Sequence, residues 1–276
     1  MKNLPSLRSV VDQYGLNPKK SLGQNFLFDQ NITDKIVRVA GVGPDDEVFE
    51  IGPGPGGLTR SILAVNPLKL TVIEQDFRCI AALSELKDIY PQLHIINDDA
   101  LKFKEDDFIT KKAKIVANLP YNIGTVLLMK WLGNISLWSS FTLMFQKEVA
   151  ERIVAIPGSK AYGRLSIISQ LLCDVDSHFD LKPEVFFPAP KVTSTVISLY
   201  PKKQIPSNEI IKAIQMIAKH LFNQRRKMLR SSLKNVHSDL DGLIFDTKIS
   251  LSQRPEELSI VDFTMIAKNY LSLTNN

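Results

Sequence analysis

The tetrapeptide Asn118-Leu119-Pro120-Tyr121 has residue types and spacing that suit an aromatic amine. Pro120 fixes its own φ and favours an extended backbone at Leu119, so the Leu119 carbonyl has a defined direction. The Asn118 side chain adds a second carbonyl oxygen, and two acceptors match an exocyclic amine with two N–H donors. Tyr121 offers a flat face to the ring that bears the amine. We interpret the segment as a place where adenine N6 is held for methylation; the alternative is a strand-to-loop turn with a buried tyrosine.

A glycine-rich loop earlier in the chain suits a nucleotide. Gly52-Pro53-Gly54-Pro55-Gly56-Gly57 follows the strand-like run 47–51 and fits the G-x-G-x-x-G pattern, in which the backbone approaches a cofactor closely. Glu74 follows about twenty residues later, and its carboxylate can accept hydrogen bonds from two ribose hydroxyls. The two prolines stiffen the loop beyond what a pyrophosphate requires. Together with polar residues after later strands, they favour S-adenosylmethionine over NAD.

Residues that could bind a cofactor follow four successive predicted strands. The strands are predicted at 47–51, 70–73, 93–96 and 114–117, and the residues at their carboxyl ends are Gly52, Glu74, Asp99 and Asn118. Ligands of open α/β sheets bind at these ends, so we expect one shared site. Taken singly, Glu74 and Asp99 could be solvated carboxylates. Asp98 competes with Asp99 for the cofactor adenine, and the sequence leaves that choice open.

The alternation of strands and helices predicts a parallel, Rossmann-like α/β sheet. A fifth strand is predicted at 141–145, and the β-branched run 193–200 is expected to close the sheet. Beyond the proline-bounded linker 201–206, helices are predicted at 208–235, 238–245 and 261–271. We therefore expect two domains, an α/β domain over residues 1–203 and a smaller all-α domain over residues 204–276.

Composition restricts the class of protein. The 276 residues are 44% hydrophobic, enough for a sizeable core, and no apolar run reaches the length of a membrane span. The N-terminus lacks a continuous apolar stretch, so we predict no secretory signal and expect a cytoplasmic protein. Cys79 and Cys173 are far apart and have no cysteine or histidine beside them. Neither a disulfide nor a metal site is therefore predicted.

Positive charge is concentrated near the C-terminus. The net charge is +5, the sequence pI is about 9.0, and residues 219–234 contain basic but no acidic side chains. In the predicted helix, Lys219, Arg226, Arg230 and Lys234 lie near one face. Such a run is often only a solvated surface. Because the same chain also has a predicted adenine site, we interpret the run as a contact to the RNA backbone. The residues expected to bind RNA are Arg225, Arg226, Lys227 and Arg230.

Eight short segments give the chain a family resemblance. In order they are QNFL (24–27), EIGPG (50–54), VIE (72–74), NLPYN (118–122), QKEV (146–149), AYGRL (161–165), FxPxPKV (186–192) and FNQRRK (222–227). The chain resembles the ribosomal RNA adenine N6,N6-dimethyltransferases of the KsgA type over roughly residues 19–275. Relatives include erythromycin-resistance methylases that act on large-subunit rRNA. The segments at 186–192 and 222–227 favour the small-subunit type.

The resemblance implies a class I methyltransferase fold and S-adenosylmethionine as the cofactor. The cofactor-binding residues that it implies are Asn25, Leu27, Gly52, Glu74, Asp99 and Asn118. It also implies dimethylation of N6 in two adjacent adenosines near the 3′ end of small-subunit (16S) rRNA. The partner would be this rRNA within a maturing pre-30S particle, and we expect the protein to be a monomer.

The expected chemistry is catalysis by positioning, without histidine, cysteine or a metal. Asn118 Oδ1 and the Leu119 carbonyl would aim the N6 lone pair at the methyl group, with Tyr121 and Phe186 on the two faces of the base. Phe186 could instead be a core aromatic, although Phe187 is the better core candidate. A base inside a duplex cannot reach such a site, so the target must be single-stranded, in a loop or flipped out.

Two other functions stay open. One is a ribosome-assembly or nucleic-acid-binding factor whose methylation is secondary or lost, although the intact Asn118 segment and glycine loop argue against loss. The other is an NAD-linked oxidoreductase, which the focused basic segment and the lack of a hydride-site histidine or Tyr-Lys pair disfavour.

Overall fold

The computed structural model describes residues 4–18 and 23–274. Residues 19–22, where the family resemblance begins, and residues 275–276, at the end of the expected helical domain, lie outside them. The strands are β1 (Phe26–Leu27), β2 (Glu47–Ile51), β3 (Lys69–Glu74), β4 (Leu93–Asn97), β5 (Ala113–Asn118), β6 (Trp138–Gln146), β7 (Cys173–Leu181), β8 (Phe186–Phe187) and β9 (Ser194–Pro201).

The α-helices are α1 (Leu7–Gln13), α2 (Gln30–Ala40), α3 (Gly57–Ala64), α4 (Phe77–Ile89), α5 (Gly124–Gly133), α6 (Lys147–Val154), α7 (Arg164–Leu172), α8 (Asn208–Asn223), α9 (Leu229–Ser232), α10 (Leu240–Leu243) and α11 (Ile260–Thr274). Short 3-10 helices lie at Glu105–Phe108, Ile135–Leu137, Pro183–Val185, Leu233–Asn235 and Pro255–Glu257. Within residues 4–18 and 23–274, no helix is long and apolar enough to cross a membrane.

The main sheet has the strand order β4-β3-β2-β5-β6-β9-β7. The pairs from β4 to β6 are parallel, and β9 runs antiparallel to β6. The predicted parallel α/β sheet is therefore confirmed, and the run predicted at 193–200 forms β9. This strand does not close the sheet, because β7 pairs on its outer side. The prediction missed β7 although its sequence alternates apolar and polar residues as a half-buried strand does. The chain leaves β2 toward β3 and β4 and returns to β5 on the other side. The carboxyl ends of β2 and β5 thus flank the switch point, where such sheets bind ligands.

Burial on both faces explains why the central strands have continuous apolar sequences. All five residues of β2 are buried, and so are the last five of β3. Parallel sheets covered by helices on both sides need this pattern. Helix α2 contributes Ile36, Val37 and Ala40 to the same core, at the i, i+1 and i+4 positions of one face.

A second, two-stranded sheet places the N-terminal segment against the glycine loop. In this antiparallel pair Phe26 is opposite Phe187, and Leu27 is opposite Phe186. The contact with the loop is so close that a Cβ atom added to Gly57 would lie 2.4 Å from the Leu27 carbonyl oxygen. Glycine is therefore required at position 57 by packing, because real Cβ atoms do not approach a backbone oxygen so closely.

The chain divides into two compact units. One comprises Met1–Ala150 and Asp176–Pro201, and the other Glu151–Val175 and Lys202–Asn276. The sequence expectation placed residues 151–175 in the first domain, whereas here they group with the C-terminal helices. In this second unit α8 buries Ala213, Ile214, Ile217, Ala218 and Leu221, and Phe222 stacks on Phe263 with ring centroids 6.2 Å apart.

The continuous helix predicted over 208–235 is wrong, because α8 ends at Asn223. The chain then turns, and the Leu229 and Arg230 amides donate to the carbonyl oxygens of Gln253 and Leu251 at 2.8 and 2.9 Å. These long-range hydrogen bonds override the helical propensity of the basic segment. Arg226 and Arg230 consequently do not share one helix face with Lys219.

We predict that Gly57→Ala destabilises the protein by about 1–3 kcal/mol, because the added methyl group must displace the Leu27 carbonyl. Thermal unfolding monitored by circular dichroism measures the change. The matched control is Gly133→Ala at the end of α5, where no atom lies within 4 Å of the added Cβ and helix propensity favours alanine. Equal losses of stability in the two variants would contradict the close contact.

Candidate active site

The Asn118 side chain is held in one orientation at the carboxyl end of β5. Its Nδ2 donates a hydrogen bond of 3.0 Å to the backbone carbonyl oxygen of Asn25. Since the amide nitrogen is used in this way, Oδ1 is the atom left to accept a hydrogen bond from a ligand. Leu119 follows directly, with its side chain buried, and Pro120 O accepts from the Ile123 and Gly124 amides at the start of α5. The segment is therefore fixed between a strand and a helix.

Tyr121 is half-buried and is also held in place. Its hydroxyl is 2.6 Å from Ser194 Oγ, at the first residue of β9. Burial raises the pKa of Tyr121, while the hydrogen bond with Ser194 acts in the opposite direction. The phenol is neutral at physiological pH, and the ring is anchored at its hydroxyl end. Tyr121 can therefore offer a fixed ring surface and no charge.

The structure reverses the expected environments of the two phenylalanines of β8. Phe186 is 4% exposed and belongs to the core, whereas Phe187 is 49% exposed. The expectation that Phe187 is the core residue is wrong, because successive residues of a strand point to opposite faces and Phe186 takes the inner one. Stacking of Phe186 on a base stays a prediction, and it requires access to a ring that packs against Leu27 and its neighbours in the core.

The glycine loop and Glu74 are joined by a hydrogen bond. Gly54 N donates to Glu74 Oε2 at 3.1 Å, and the amides of Gln75 and Asp76 donate to Oε1 at 2.8 Å each. Burial raises the pKa of Glu74, and these backbone hydrogen bonds counteract part of the rise. Gly52 and Gly54 have φ angles of +66° and +56°, which favour glycine. The loop is thus shaped around the carboxylate of the next strand.

Glu50 is a functional candidate that the sequence reasoning missed. It lies in β2 two residues before Gly52, is 2% exposed, and its Oε2 has no hydrogen-bond partner among the described residues. Burial raises the pKa of Glu50 to about 8; Thr59 acts in the opposite direction, and the Glu74 charge adds a smaller rise. A carboxyl group among apolar residues just before the glycine loop was the available signal, since a buried carboxyl group needs a partner.

One cleft brings most of the predicted residues together. We call it the main cleft, and its walls include Asn25, Phe26, Leu27, Glu50, Gly52, Gly54, Glu74, Asp98, Asp99, Asn118 and Leu119. All six predicted cofactor-binding residues are in this set, and Tyr121 and Phe186 are not. Asp98 and Asp99 both line the cleft; Asp98 is exposed, and Asp99 is half-buried with Oδ1 accepting from the Leu101 amide at 3.0 Å.

A family model described as ribosomal RNA adenine dimethylase matches residues 15–271. The chain belongs to the ribosomal RNA adenine dimethylase family. Two relatives are each named ribosomal RNA small subunit methyltransferase A. The one from Cereibacter sphaeroides is 47% identical over 270 residues, covering 96% of each chain. The one from Xanthobacter autotrophicus is 45% identical over 279 residues, covering 99% of this chain and 96% of the relative.

The fold of the chain also matches that of a solved structure. A dimethyladenosine transferase from Plasmodium falciparum superposes with a TM-score of 0.74 at 27% identity, covering 87% of this chain and 95% of that one. The predicted class I methyltransferase sheet with C-terminal helices is therefore confirmed. Among the described residues of this family member, no group of three or more histidine, cysteine, aspartate or glutamate side chains could hold a metal ion.

The predicted RNA-binding residues of this dimethylase have unequal environments within the helical unit. Arg225 is half-buried, donates to the Ser159 carbonyl oxygen at 3.2 Å and lies 3.9 Å from a Glu256 carboxylate oxygen. Arg226, Lys227 and Arg230 are exposed. Arg225 is therefore engaged in holding its own unit together, and the other three are free to meet a phosphate.

We predict that Glu50→Gln stabilises the protein more at pH 8 than at pH 5. The folded state keeps this carboxyl protonated up to about pH 8, whereas the unfolded chain ionises near 4.5. Wild-type stability should fall as pH rises between these values, and glutamine removes that loss. The expected gain at pH 8 is roughly 2–4 kcal/mol, measured by denaturant unfolding across the pH range.

Glu47→Gln in the same strand is the control. Glu47 accepts hydrogen bonds from the Thr110 amide, at 3.1 Å, and from the Thr110 hydroxyl. Glutamine can keep both contacts, accepting from the amide through Oε1 while its Nε2 donates to the hydroxyl, so this variant should show no gain in stability at pH 8. A difference between Glu50→Gln and wild type that stays constant with pH would refute the assignment of Glu50 as a buried neutral acid.

Proposed function

We propose that the protein transfers methyl groups from S-adenosylmethionine to N6 of two adjacent adenosines near the 3′ end of small-subunit rRNA, giving N6,N6-dimethyladenosine. The observation that carries the proposal is the Asn118 amide, whose Nδ2 is bound to Asn25 O and whose Oδ1 is left beside the Leu119 carbonyl. The two relatives named as small-subunit methyltransferases favour this target over large-subunit rRNA.

The acceptor chemistry of the main cleft fits the cofactor. S-adenosylmethionine offers ribose hydroxyls, an adenine amine and an ammonium group, all of which donate hydrogen bonds, and when bound it supplies an activated methyl group. The buried Glu50 oxygen without a partner can accept from the ammonium. The Glu74 carboxylate already accepts from three backbone amides. Its remaining lone pair can accept from a ribose hydroxyl. Asp99 would accept from the adenine amine.

The chain contributes to the reaction by orientation. Asn118 Oδ1 and the Leu119 carbonyl accept from the two N6–H groups, draw the amine toward tetrahedral geometry and turn its lone pair toward the main cleft. Because the Asn118 amide and the Pro120 backbone are fixed before substrate arrives, little reorganisation is needed. For the second methyl group, one of the two acceptors must release the amine, which then has a single N–H.

The proposal extends to partners and location. The exposed Arg226, Lys227 and Arg230 supply charge for RNA phosphates, and we place the enzyme as a monomer in the cytoplasm, acting on the pre-30S particle. The rival function, an assembly factor with secondary methylation, shares these residues. It differs in leaving the Asn118 geometry without a purpose.

We predict that Asn118→Ala lowers methyl transfer by about 100-fold or more while rRNA affinity is kept, because one of two fixed acceptors is lost. Mass spectrometry of adenosines in unmethylated small subunits, incubated with the variant and S-adenosylmethionine, measures the activity. Filter binding measures RNA affinity. The control is Asn134→Ala, an exposed asparagine just after α5.

The same variant separates the two functions in cells. Small-subunit maturation that stays normal with Asn118→Ala, although methylation is lost, would favour the assembly-factor function. Full methylation by Asn118→Ala would overturn the proposed mechanism.

We predict that the double variant Arg226→Ala/Arg230→Ala binds rRNA more weakly. The slope of log affinity against log salt concentration should become shallower by about 1.5 to 2, because a phosphate contact that is lost no longer releases counterions. The charge-matched control is Lys203→Ala/Lys212→Ala, two exposed lysines outside the basic segment. Equal slopes for the two double variants would show that net charge alone matters and that the basic segment is not the contact.

A further inference from the structure

Two phenylalanines outside the main cleft form a stacked pair. The rings of Phe28 and Phe187 have centroids 5.8 Å apart and an interplanar angle of 27°. Phe28 is half-buried, and Phe187 is 49% exposed. Phe28 thus covers part of the Phe187 ring, and the rest of that ring faces solvent. Exposure alone does not distinguish Phe187, because Phe77 and Phe245 are 72% and 73% exposed. What distinguishes it is that its ring is one half of a stacked pair in the wall of a cleft.

A row of aromatic rings connects this pair to the main cleft. Phe26 lines the main cleft and lies so close to Gly54 that an added Cβ would be 2.9 Å from its Cε1. The Phe28 ring is 6.3 Å from the Phe26 ring, and Phe187 follows. On the other side, the chain runs from Phe187 to Ser194, whose hydroxyl holds Tyr121. A shorter link runs through Asn25, which accepts from Asn118 Nδ2 and directly precedes Phe26, the strand partner of Phe187.

The pair forms one wall of a second cleft, here called the outer cleft. Its other walls come from α1 and from the turn before β8, and its charged side chains are Arg8, Asp12, Asp29 and Glu184. Three carboxylates against one guanidinium disfavour a phosphate group. They suit a neutral base that carries an exocyclic amine, because the amine donates hydrogen bonds that carboxylates accept.

We propose that Phe28 and Phe187 bind the adenine base next to the adenosine being methylated, with that base stacked on the open face of Phe187. This inference rests on the proposed function, because methylation of two adjacent adenosines leaves one adenine outside the site while the other reacts. Phe187 supplies the stacking surface, and Phe28 holds its ring in place. The carboxylates of the outer cleft favour a base with an amine.

The test uses the full-length protein and unmethylated small subunits. We expect Phe187→Ala to raise KM for the subunit by about 5- to 150-fold, the effect of losing one base–aromatic stack, with kcat within a few-fold of wild type. Affinity for S-adenosylhomocysteine, measured by calorimetry, should not change. Phe187→Tyr should restore KM, whereas Phe187→Leu, which keeps an apolar side chain and guards against a folding defect, should not.

The matched control is Phe108→Ala. Phe108 is 37% exposed and packs on Phe103 with centroids 4.9 Å apart, so it is also a partly exposed phenylalanine in an aromatic pair. Its backbone carbonyl accepts from Lys69 at the start of β3. Phe108 therefore lies near the amino-terminal end of that strand, whereas the main cleft lies at the carboxyl ends. This variant should leave KM unchanged.

Small subunits reconstituted from rRNA with one altered nucleotide identify the base. Replacing the adenosine next to the target with an abasic nucleotide should raise KM for wild type to that of Phe187→Ala, and it should add little to the variant. An unchanged KM for Phe187→Ala, or rescue by leucine, would overturn the inference. A Phe187 effect that persists in full with the abasic RNA would assign the surface to another contact, including a protein of the particle. Absence of methyl transfer by wild type to unaltered, unmethylated small subunits would instead refute the proposed function.

Discussion

The site depends on one hydrogen bond, from Asn118 Nδ2 to the carbonyl oxygen of Asn25. As a neutral hydrogen bond it contributes only about 1 kcal/mol to stability. Its geometric effect is larger, because it joins the N-terminal segment to the end of the central strand and leaves a single amide oxygen for a ligand. Asn25 and Asn118 are 93 residues apart in the chain, so the orientation of the amide exists only once the sheet and the N-terminal segment have packed.

The N-terminal segment is a structural part of the cleft. Leu27 O packs against Gly57, Phe26 packs against Gly54, and the pairing of β1 with β8 joins both to the strand of Phe186 and Phe187. The glycine loop, the Asn118 segment and β8 are thereby all held by contacts with the N-terminal segment. A change in any of these elements should alter the geometry of both substrates together.

Two buried carboxylates at the same sheet edge have different environments. Glu74 accepts three backbone amides, which favours its charged form, whereas Glu50 has an oxygen without a partner among the described residues and a pKa raised to about 8. Glu74 is held in place by the backbone, whereas the buried Glu50 costs stability until a ligand donates a hydrogen bond to it. This difference is expected where binding energy is reserved for a ligand.

The sequence by itself determined the parallel sheet, the place of the glycine loop and the residues at the carboxyl ends of the strands, because these follow from local periodicity and from motifs of adjacent residues. Only the tertiary structure decided which of Phe186 and Phe187 is buried, where α8 ends and that Glu50 Oε2 has no hydrogen-bond partner among the described residues. Each of these depends on contacts between distant segments. Strand pairing selects the inner face of β8, hydrogen bonds to residues 251 and 253 end the helix, and the neighbours of a buried carboxyl are set by packing.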